Sequence, residues 1–461
     1  MTHLAGNNRS VDLQDFLDGQ RFSPLHWITL ILCFLIMAID GFDTGSIGYI
    51  APSLVQEWKI PRESLGPVLS ASLFGLGIGA LVAGPIADRI GRKVVLVGSV
   101  VFFGIWSLAS AHAGSIESLA LFRFLTGLGL GASAPNAGTL VAEYAPARVR
   151  SLAVNATQMG FVTGLSLGGV ISNELLPQFG WQGVLVTGGI LPLVLSVALI
   201  LLLPESLKFL VIRQRPRAQT SKILKRMNLR DSSGNYDFAV KKEPALNTGA
   251  ANPVLQLFSR NYYVGTFLLW VGYFMCLAVF YLLTSWLPVL FKTSGFTLQQ
   301  SILTSSLFHL GGMLGVVVAG WFMDRFRAAR VVTALFVLTA FLIIGLGQSL
   351  GHPALLIVMI LITGAALSGS VGSMVAVAAS FYPTTSRATG VAWMYSVGRL
   401  GAIGGAFGGG ILLANGWKLG GIFTVLSVPL AVTAICVLIL SSHRKMSSSQ
   451  RAADSADPFT A

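Results

Sequence analysis

Asp40 and Asp43 stand three positions apart in residues 27–50, a stretch that is otherwise uncharged. On a helix, residues three apart share a face, with Cβ atoms roughly 5–6 Å apart. Two carboxylates that close in a low-dielectric setting resist joint ionisation, so at least one holds a proton more tightly than usual. The chemistry this points to is reversible proton binding; the plain alternative is a structural pair. Two guanidinium groups, Arg123 and Arg399, and one imidazole, His309, occupy similar apolar stretches. A guanidinium grips a carboxylate through two parallel hydrogen bonds. Arg123 and Arg399 are therefore candidates for holding an anionic substrate, with a structural contact to helix carbonyls or a gating pair as the other reading of Arg399. Arg123 is also a candidate partner of Asp40 or Asp43, either as a pair that protonation loosens or as a permanent structural ion pair. His309 is the third candidate for proton coupling, since an unperturbed histidine titrates at about pH 6.5. Its other reading is a hydrogen bond to a substrate hydroxyl or a neighbouring helix.

The elements that must carry these groups are membrane helices. Of 461 residues, 54% are hydrophobic and 11% charged, against about 25% charged in soluble domains. A bilayer core takes about 20 apolar residues per helix, and only helices or closed barrels satisfy the backbone there. The apolar stretches are continuous rather than alternating, which selects helices. The expected spans are 27–50, 64–84, 94–112, 117–141, 152–173, 181–203, 262–285, 298–322, 331–350, 354–380, 388–411 and 418–440. The predicted fold is an all-α polytopic membrane protein of twelve transmembrane helices. At 1.5 Å per residue, Asp40 lies about 20 Å along its span and Arg123 about 9 Å along its own, entered from the other side. In a core of about 30 Å these depths nearly coincide, and Arg399, about 17 Å along, is near the midplane.

The 31 Lys and Arg residues sort by side. With the N-terminus in the cytoplasm, 25 fall in cytoplasmic segments, eleven of them in the central loop, and only Lys59, Arg62, Lys292 and Lys418 face the other way. An excess of Lys and Arg in cytoplasmic loops sets orientation, so both termini are expected in the cytoplasm. The same distribution accounts for the net charge of +13 without a nucleic-acid partner. The expected organisation is a cytoplasmic N-terminal tail (1–26), a six-helix bundle (27–203), a cytoplasmic central loop (204–261), a second six-helix bundle (262–440) and a cytoplasmic tail (441–461). Asp12, Asp15 and Asp18 in a polar opening segment argue against a cleavable signal peptide. Residues 11–22 read either as a short amphipathic helix at the membrane surface or as a mobile tail. Cys33, Cys276 and Cys436 read as buried free thiols.

The two halves repeat. Gly84-Pro-Ile-Ala-Asp88-Arg89-Ile-Gly91-Arg92-Lys93 is echoed by Gly320-Trp-Phe-Met-Asp324-Arg325-Phe-Arg327, with Asp324 standing 236 positions after Asp88. Glu143-Tyr144-Ala-Pro146-Ala-Arg148-Val-Arg150 is echoed around Pro383 and Arg387, each 237 positions on. Parallel repeats about an axis along the membrane normal are a transporter architecture with the substrate site between them. The charges at these corners, Asp88, Arg89, Arg92, Glu143, Arg148 and Arg150, with Asp324, Arg325 and Arg387 in the second half, are candidates for an inward-side gating network. The alternative is a solvated cluster.

The Gly-x-x-x-Asp-Arg-x-Gly-Arg-Lys stretch resembles the signature loop of the major facilitator superfamily, and Pro204-Glu205-Ser206 is similar to that family as well. Asp40-Gly-Phe-Asp43, Gly48-Tyr-Ile-Ala-Pro52, the stretch from Arg123 to Gly131 with Pro135-Asn136, and Gly398-Arg399-Leu-Gly401 resemble the aromatic acid:proton symporter family, including its 4-hydroxybenzoate/protocatechuate and benzoate permeases. The resemblance covers nearly the whole chain. It implies two bundles of six helices that rock about a central cavity, working as a monomer in the bacterial inner membrane, and import of a small aromatic carboxylate with protons. Tyr273, Phe274, Phe280, Tyr281, Trp286, Trp393 and Tyr395 are available as flat walls for such a substrate. A proton-coupled exporter of organic anions or drugs, an aromatic-acid sensor and a passive facilitator are the rival readings.

Gly127, Gly129 and Gly131 lie inside an apolar helix with no preceding strand, so they read as close helix packing rather than a dinucleotide loop. No P-loop, metal-ligand spacing or nucleophile triad is present in the sequence. No cofactor, no metal and no enzymatic activity are expected.

Overall fold

Backbone polar groups in a bilayer must be satisfied within the chain, and every long apolar stretch is a helix in the computed structural model. It describes residues 10–20, 22–227, 237–239, 253–260, 262–383 and 386–454. The first described elements are strand β1 (Ser10–Asp12) and helix α1 (Leu13–Asp18). The long helices of the first half are α2 (Pro24–Trp58), α3 (Leu65–Ile90), α4 (Arg92–Ser110), α5 (Ile116–Tyr144) and α6 (Ala147–Leu202). Short helices α7 (Leu207–Ile212) and α8 (Arg217–Arg226), strand β2 (Asp237–Ala239) and helix α9 (Pro253–Leu257) follow. The second half holds α10 (Tyr263–Thr293), α11 (Leu298–Arg325), α12 (Ala328–Gln348), α13 (Pro353–Phe381), α14 (Arg387–Ala414) and α15 (Leu419–Asp454).

Ten of these helices are long and apolar enough to cross a membrane. One of the ten, α6, is two spans in a row: Gly180, at φ 64° and ψ −170°, breaks it in a conformation that side chains beyond glycine rarely adopt. The remaining span is α5, whose 29 residues include Arg123, Asn136 and several glycines and serines that lower its hydropathy. That makes the twelve helices expected from the sequence.

The chain divides into two compact units. The first comprises residues 1–44, 74–165 and 178–249, the second 45–73, 166–177 and 250–461. In the first unit, β1 pairs in parallel with β2, Val11 opposite Phe238. Asp12 caps α1 by accepting the Gln14 and Asp15 N–H groups. Leu13 and Leu17 of α1 are buried in one apolar cluster with Ile223, Leu224 and Met227. Of the two readings of residues 11–22, the helix is the one that forms, over 13–18, but its apolar face packs within the protein rather than on a membrane surface.

Candidate functional site

In the first unit the two carboxylates of α2 lie where the helix touches α6. A Cβ at Gly41 would run into the Phe161 carbonyl, and one at Gly164 into the Ala38 carbonyl, so the two backbones meet there. Asp40 is 2% exposed and accepts a hydrogen bond from Thr44 Oγ1 at 3.4 Å. Asp43 takes Arg123 of α5 in a fork: Nη1 to Oδ1 and Nη2 to Oδ2, both 2.8 Å. Arg123 Nη2 also donates to the Asp43 carbonyl at 3.1 Å, and Ser107 of α4 donates to Oδ1 at 3.3 Å. Neither side chain of the pair is exposed. Sequence reasoning offered Arg123 to either carboxylate; the guanidinium sits on Asp43. Close packing brings it there, since a Cβ at Gly131 would run into the Leu76 carbonyl and one at Gly129 would lie 2.7 Å from Phe103.

A second polar cluster forms where α3, α4, α5 and α7 meet. Arg92 Nε donates to Glu143 Oε1 at 2.9 Å, and its Nη2 lies 3.5 Å from the exposed Asp88. Ser206 Oγ donates to Glu143 Oε2 at 2.6 Å. Glu205 Oε1 accepts the backbone N–H groups of Arg92, Lys93 and Ser206 at 2.9, 3.1 and 2.8 Å. A carboxylate at the start of α4 satisfies N–H groups that have no partner in their own helix and meets the positive end of its dipole.

Arg150 departs from this cluster and pairs with Asp18 at 2.9 Å, while Asp18 also accepts the Ala147 N–H at 2.9 Å. Arg148 donates to the Gln20 carbonyl, and Arg89 is exposed. Glu205 and Ser206 entered the sequence reading only as a family-like motif, and Asp18 only as a tail charge. Their roles depend on partners 63 to 132 residues away.

In the second unit, α14 crosses α10 in backbone contact: Cβ atoms at Gly401 and Gly405 would run into the Phe274 and Ala278 carbonyls. Arg399, half-buried on α14, has its Nη1 3.5 Å from the Tyr281 hydroxyl. His309 of α11 is 1% exposed, with its ring 5.1 Å from Phe308 and 6.5 Å from Phe280. Trp286 is fully buried and donates to the Ala406 carbonyl at 2.7 Å, which makes it a packing residue. Trp393 stacks on Trp270 and Tyr395 meets Tyr273 edge-on. Phe274 is half-buried, and Phe280 and Tyr281 are buried. The second-half corner is looser. Arg325 lies 3.7 Å over the Trp321 ring, Asp324 and Arg387 are exposed, and no ion pair joins these three among the described residues. Among the described residues no group of His, Cys, Asp and Glu is placed to hold a metal ion.

A sequence model described as the Major Facilitator Superfamily matches residues 33–350 and 269–460. The chain belongs to the Major Facilitator Superfamily. Among curated relatives, it is 46% identical to the 4-hydroxybenzoate transporter PcaK of Pseudomonas aeruginosa, over 94% of this chain and 97% of that protein. It is 44% identical to the gallate transporter of Pseudomonas putida, over 93% and 94%. Of solved folds, the xylose transporter XylE of E. coli in its inward-open conformation aligns with a TM-score of 0.71 at 17% identity, over 89% of this chain and 95% of that one. This superfamily member is a multi-pass membrane transporter and not an enzyme.

Proposed function

We propose that this transporter imports a small aromatic carboxylate of the 4-hydroxybenzoate, protocatechuate or benzoate class together with protons, by alternating access across the bacterial inner membrane. Near-full-length likeness to the 4-hydroxybenzoate and gallate transporters supports the substrate class. The observation that carries the mechanism is the division of labour between the two guanidinium groups set in apolar helices. Arg123 is committed to Asp43 by two hydrogen bonds. Arg399 is half-buried, and among the described residues its hydrogen-bond partner is a neutral hydroxyl, at the edge of hydrogen-bonding distance. Arg399 is therefore the anchor for the substrate carboxylate, and Arg123 acts on the substrate indirectly, through the charge it holds at Asp43.

Asp40 and Asp43 then form the proton site. Protonating Asp40 relieves its repulsion with Asp43 and leaves the Asp43–Arg123 pair intact; protonating Asp43 weakens the pair and frees the guanidinium. One proton carried with a monoanion is electroneutral, and each further proton adds about 2.3 kcal/mol of driving force per 100 mV. The Arg92–Glu143–Ser206–Glu205 cluster, with Asp88, serves as the cytoplasmic gate, on the face that holds most of the basic residues. The chain works as a monomer with both termini in the cytoplasm and with one bundle on either side of the 204–261 loop.

The test is uptake of labelled 4-hydroxybenzoate into proteoliposomes under imposed pH gradients, by wild type and Asp40→Asn. Accumulation that follows an inward proton gradient in wild type and is lost in the variant is the expected result. Accumulation by Asp40→Asn at the wild-type level would remove Asp40 from the coupling site. Net flux driven outward by the same gradient would favour the exporter.

A further inference from the structure

Serine and threonine hydroxyls inside a helix usually bond back to a carbonyl of the preceding turn. The second unit follows this habit: Ser301, Ser305, Thr339, Thr363, Ser370 and Thr433 all do so, at 2.6–2.8 Å. Thr284 of α10 and Ser368 of α13 break it, as does Ser172 of α6. Thr284 is 3% exposed and Ser368 5%, and neither hydroxyl has a partner among the described residues. His309 Nδ1 is in the same condition at 1% exposure. A buried polar group left without a hydrogen bond is costly, which makes each such group in a native structure call for a partner.

Helices α10, α11 and α13, which carry Thr284, His309 and Ser368, pack against one another. His309 and Gly312 are three apart on α11 and share a face. Ser368 Oγ stands in the space that a Cβ at Gly312 would fill. Phe280 of α10 lies with its ring 6.5 Å from His309, and Thr284 is one turn further along the same face of α10. Measured from the ends at Thr293 and Leu298, Thr284 and His309 lie at similar depths, about 14 and 17 Å at 1.5 Å per residue. The residue beside Phe280 is Tyr281, which Arg399 touches.

We infer that Thr284, His309 and Ser368 form a subsite that binds a ring hydroxyl of the substrate, with Phe280 as its aromatic wall. The inference rests on the aromatic-carboxylate reading above and narrows it to hydroxylated benzoates. A phenolic hydroxyl both donates and accepts. A neutral imidazole nitrogen and two aliphatic hydroxyls can complement it in either sense. An unsubstituted benzoate leaves all three without partners. Sites built to hydrogen-bond a hydroxyl discriminate strongly against analogues that lack it, because their own polar groups are then stranded.

The experiment is isothermal titration of the purified full-length transporter with benzoate, 3-hydroxybenzoate, 4-hydroxybenzoate and 3,4-dihydroxybenzoate. The proteins compared are wild type, Thr284→Val, Ser368→Ala, His309→Leu and His309→Gln. The readout is the ratio of the benzoate Kd to the best hydroxybenzoate Kd. The expected wild-type ratio is well above ten. His309→Leu and Thr284→Val each lower it about five- to tenfold, the size of one lost hydrogen bond, and His309→Gln restores part of it. A ratio near one in wild type overturns the subsite but leaves aromatic-acid transport standing. Variants that weaken benzoate and hydroxybenzoates in equal proportion, as packing residues or the hosts of a fixed water would, also overturn it. If wild type binds none of the four, the substrate reading falls and the subsite falls with it.

Discussion

Asp43 and Arg123 meet through two parallel hydrogen bonds of 2.8 Å, with neither side chain exposed. A buried pair of this kind is balanced only while both members are present, because each charge alone has lost its water. Arg123→Ala is expected to cost about 3–5 kcal/mol, the usual price of stranding a buried partner. Asp43→Asn together with Arg123→Gln should recover most of that loss while abolishing proton-driven accumulation. Thermal unfolding in detergent reads the first effect, and proteoliposome uptake the second. A single Arg123→Ala protein with wild-type stability would show that the pair contributes nothing to the fold.

Arg123→Lys keeps the charge but cannot fork. The permanent-pair reading expects proton coupling to survive this change, because a point charge still neutralises Asp43. A pair that opens and closes during transport expects coupling to fail, with substrate exchange between equal pools persisting. Counterflow and gradient-driven uptake, measured on the same vesicles, separate these outcomes.

Helix α6 starts at Ala147 after Pro146, which offers no side-chain cap. Asp18 supplies the missing acceptor, taking the Ala147 N–H at 2.9 Å and Arg150 at 2.9 Å. Asp18→Ala should cost about 1 kcal/mol, as loss of a helix cap does. It should also make the N-terminal segment more readily cut by protease near Leu13–Asp18. Unchanged cleavage kinetics would mean that β1 and the apolar face of α1 hold the segment without Asp18.

Glu143 accepts from both Arg92 and Ser206. Ser206→Ala removes a hydrogen bond to a charged group, expected to be worth about 1.5–3 kcal/mol. If the cluster is a gate, that loss falls on the closed state alone. The variant should then expose a cysteine introduced at Arg89 or Arg148 to a membrane-impermeant thiol reagent differently from wild type. Equal labelling rates would reduce the cluster to a surface ion pair.

Gly405 faces the Ala278 carbonyl with no room for a Cβ. Gly405→Val should therefore cost about 1–3 kcal/mol, the range for overpacking, and should lower the yield of folded protein in detergent by size-exclusion chromatography. Gly404, one position away, has open space at its Cβ, so Gly404→Ala is the control and should be well tolerated.

Much of this architecture can be read from residue types alone, because the bilayer leaves few choices. An apolar run of about 20 residues without partners for its backbone must be a helix, and this determined the spans, including 152–173 and 181–203 on either side of Gly180. The spacing of Asp40 and Asp43, the near-identical offsets of the two motif pairs and the one-sided distribution of Lys and Arg are likewise properties of the sequence. What a one-dimensional reading supplies is depth along a helix. It does not supply the azimuth, which depends on how neighbours pack. Depth brought Arg123 level with Asp40; the α2–α6 contact at Gly41 and Gly164 belongs to the packing that places Arg123 on Asp43. The same limit hid Asp18 under the start of α6, and Glu205 under the start of α4. It also hid Thr284 and Ser368, which look like any other helical hydroxyl in sequence. Whether such a hydroxyl turns back on its own helix is settled by the side chains facing it, and those come from other helices.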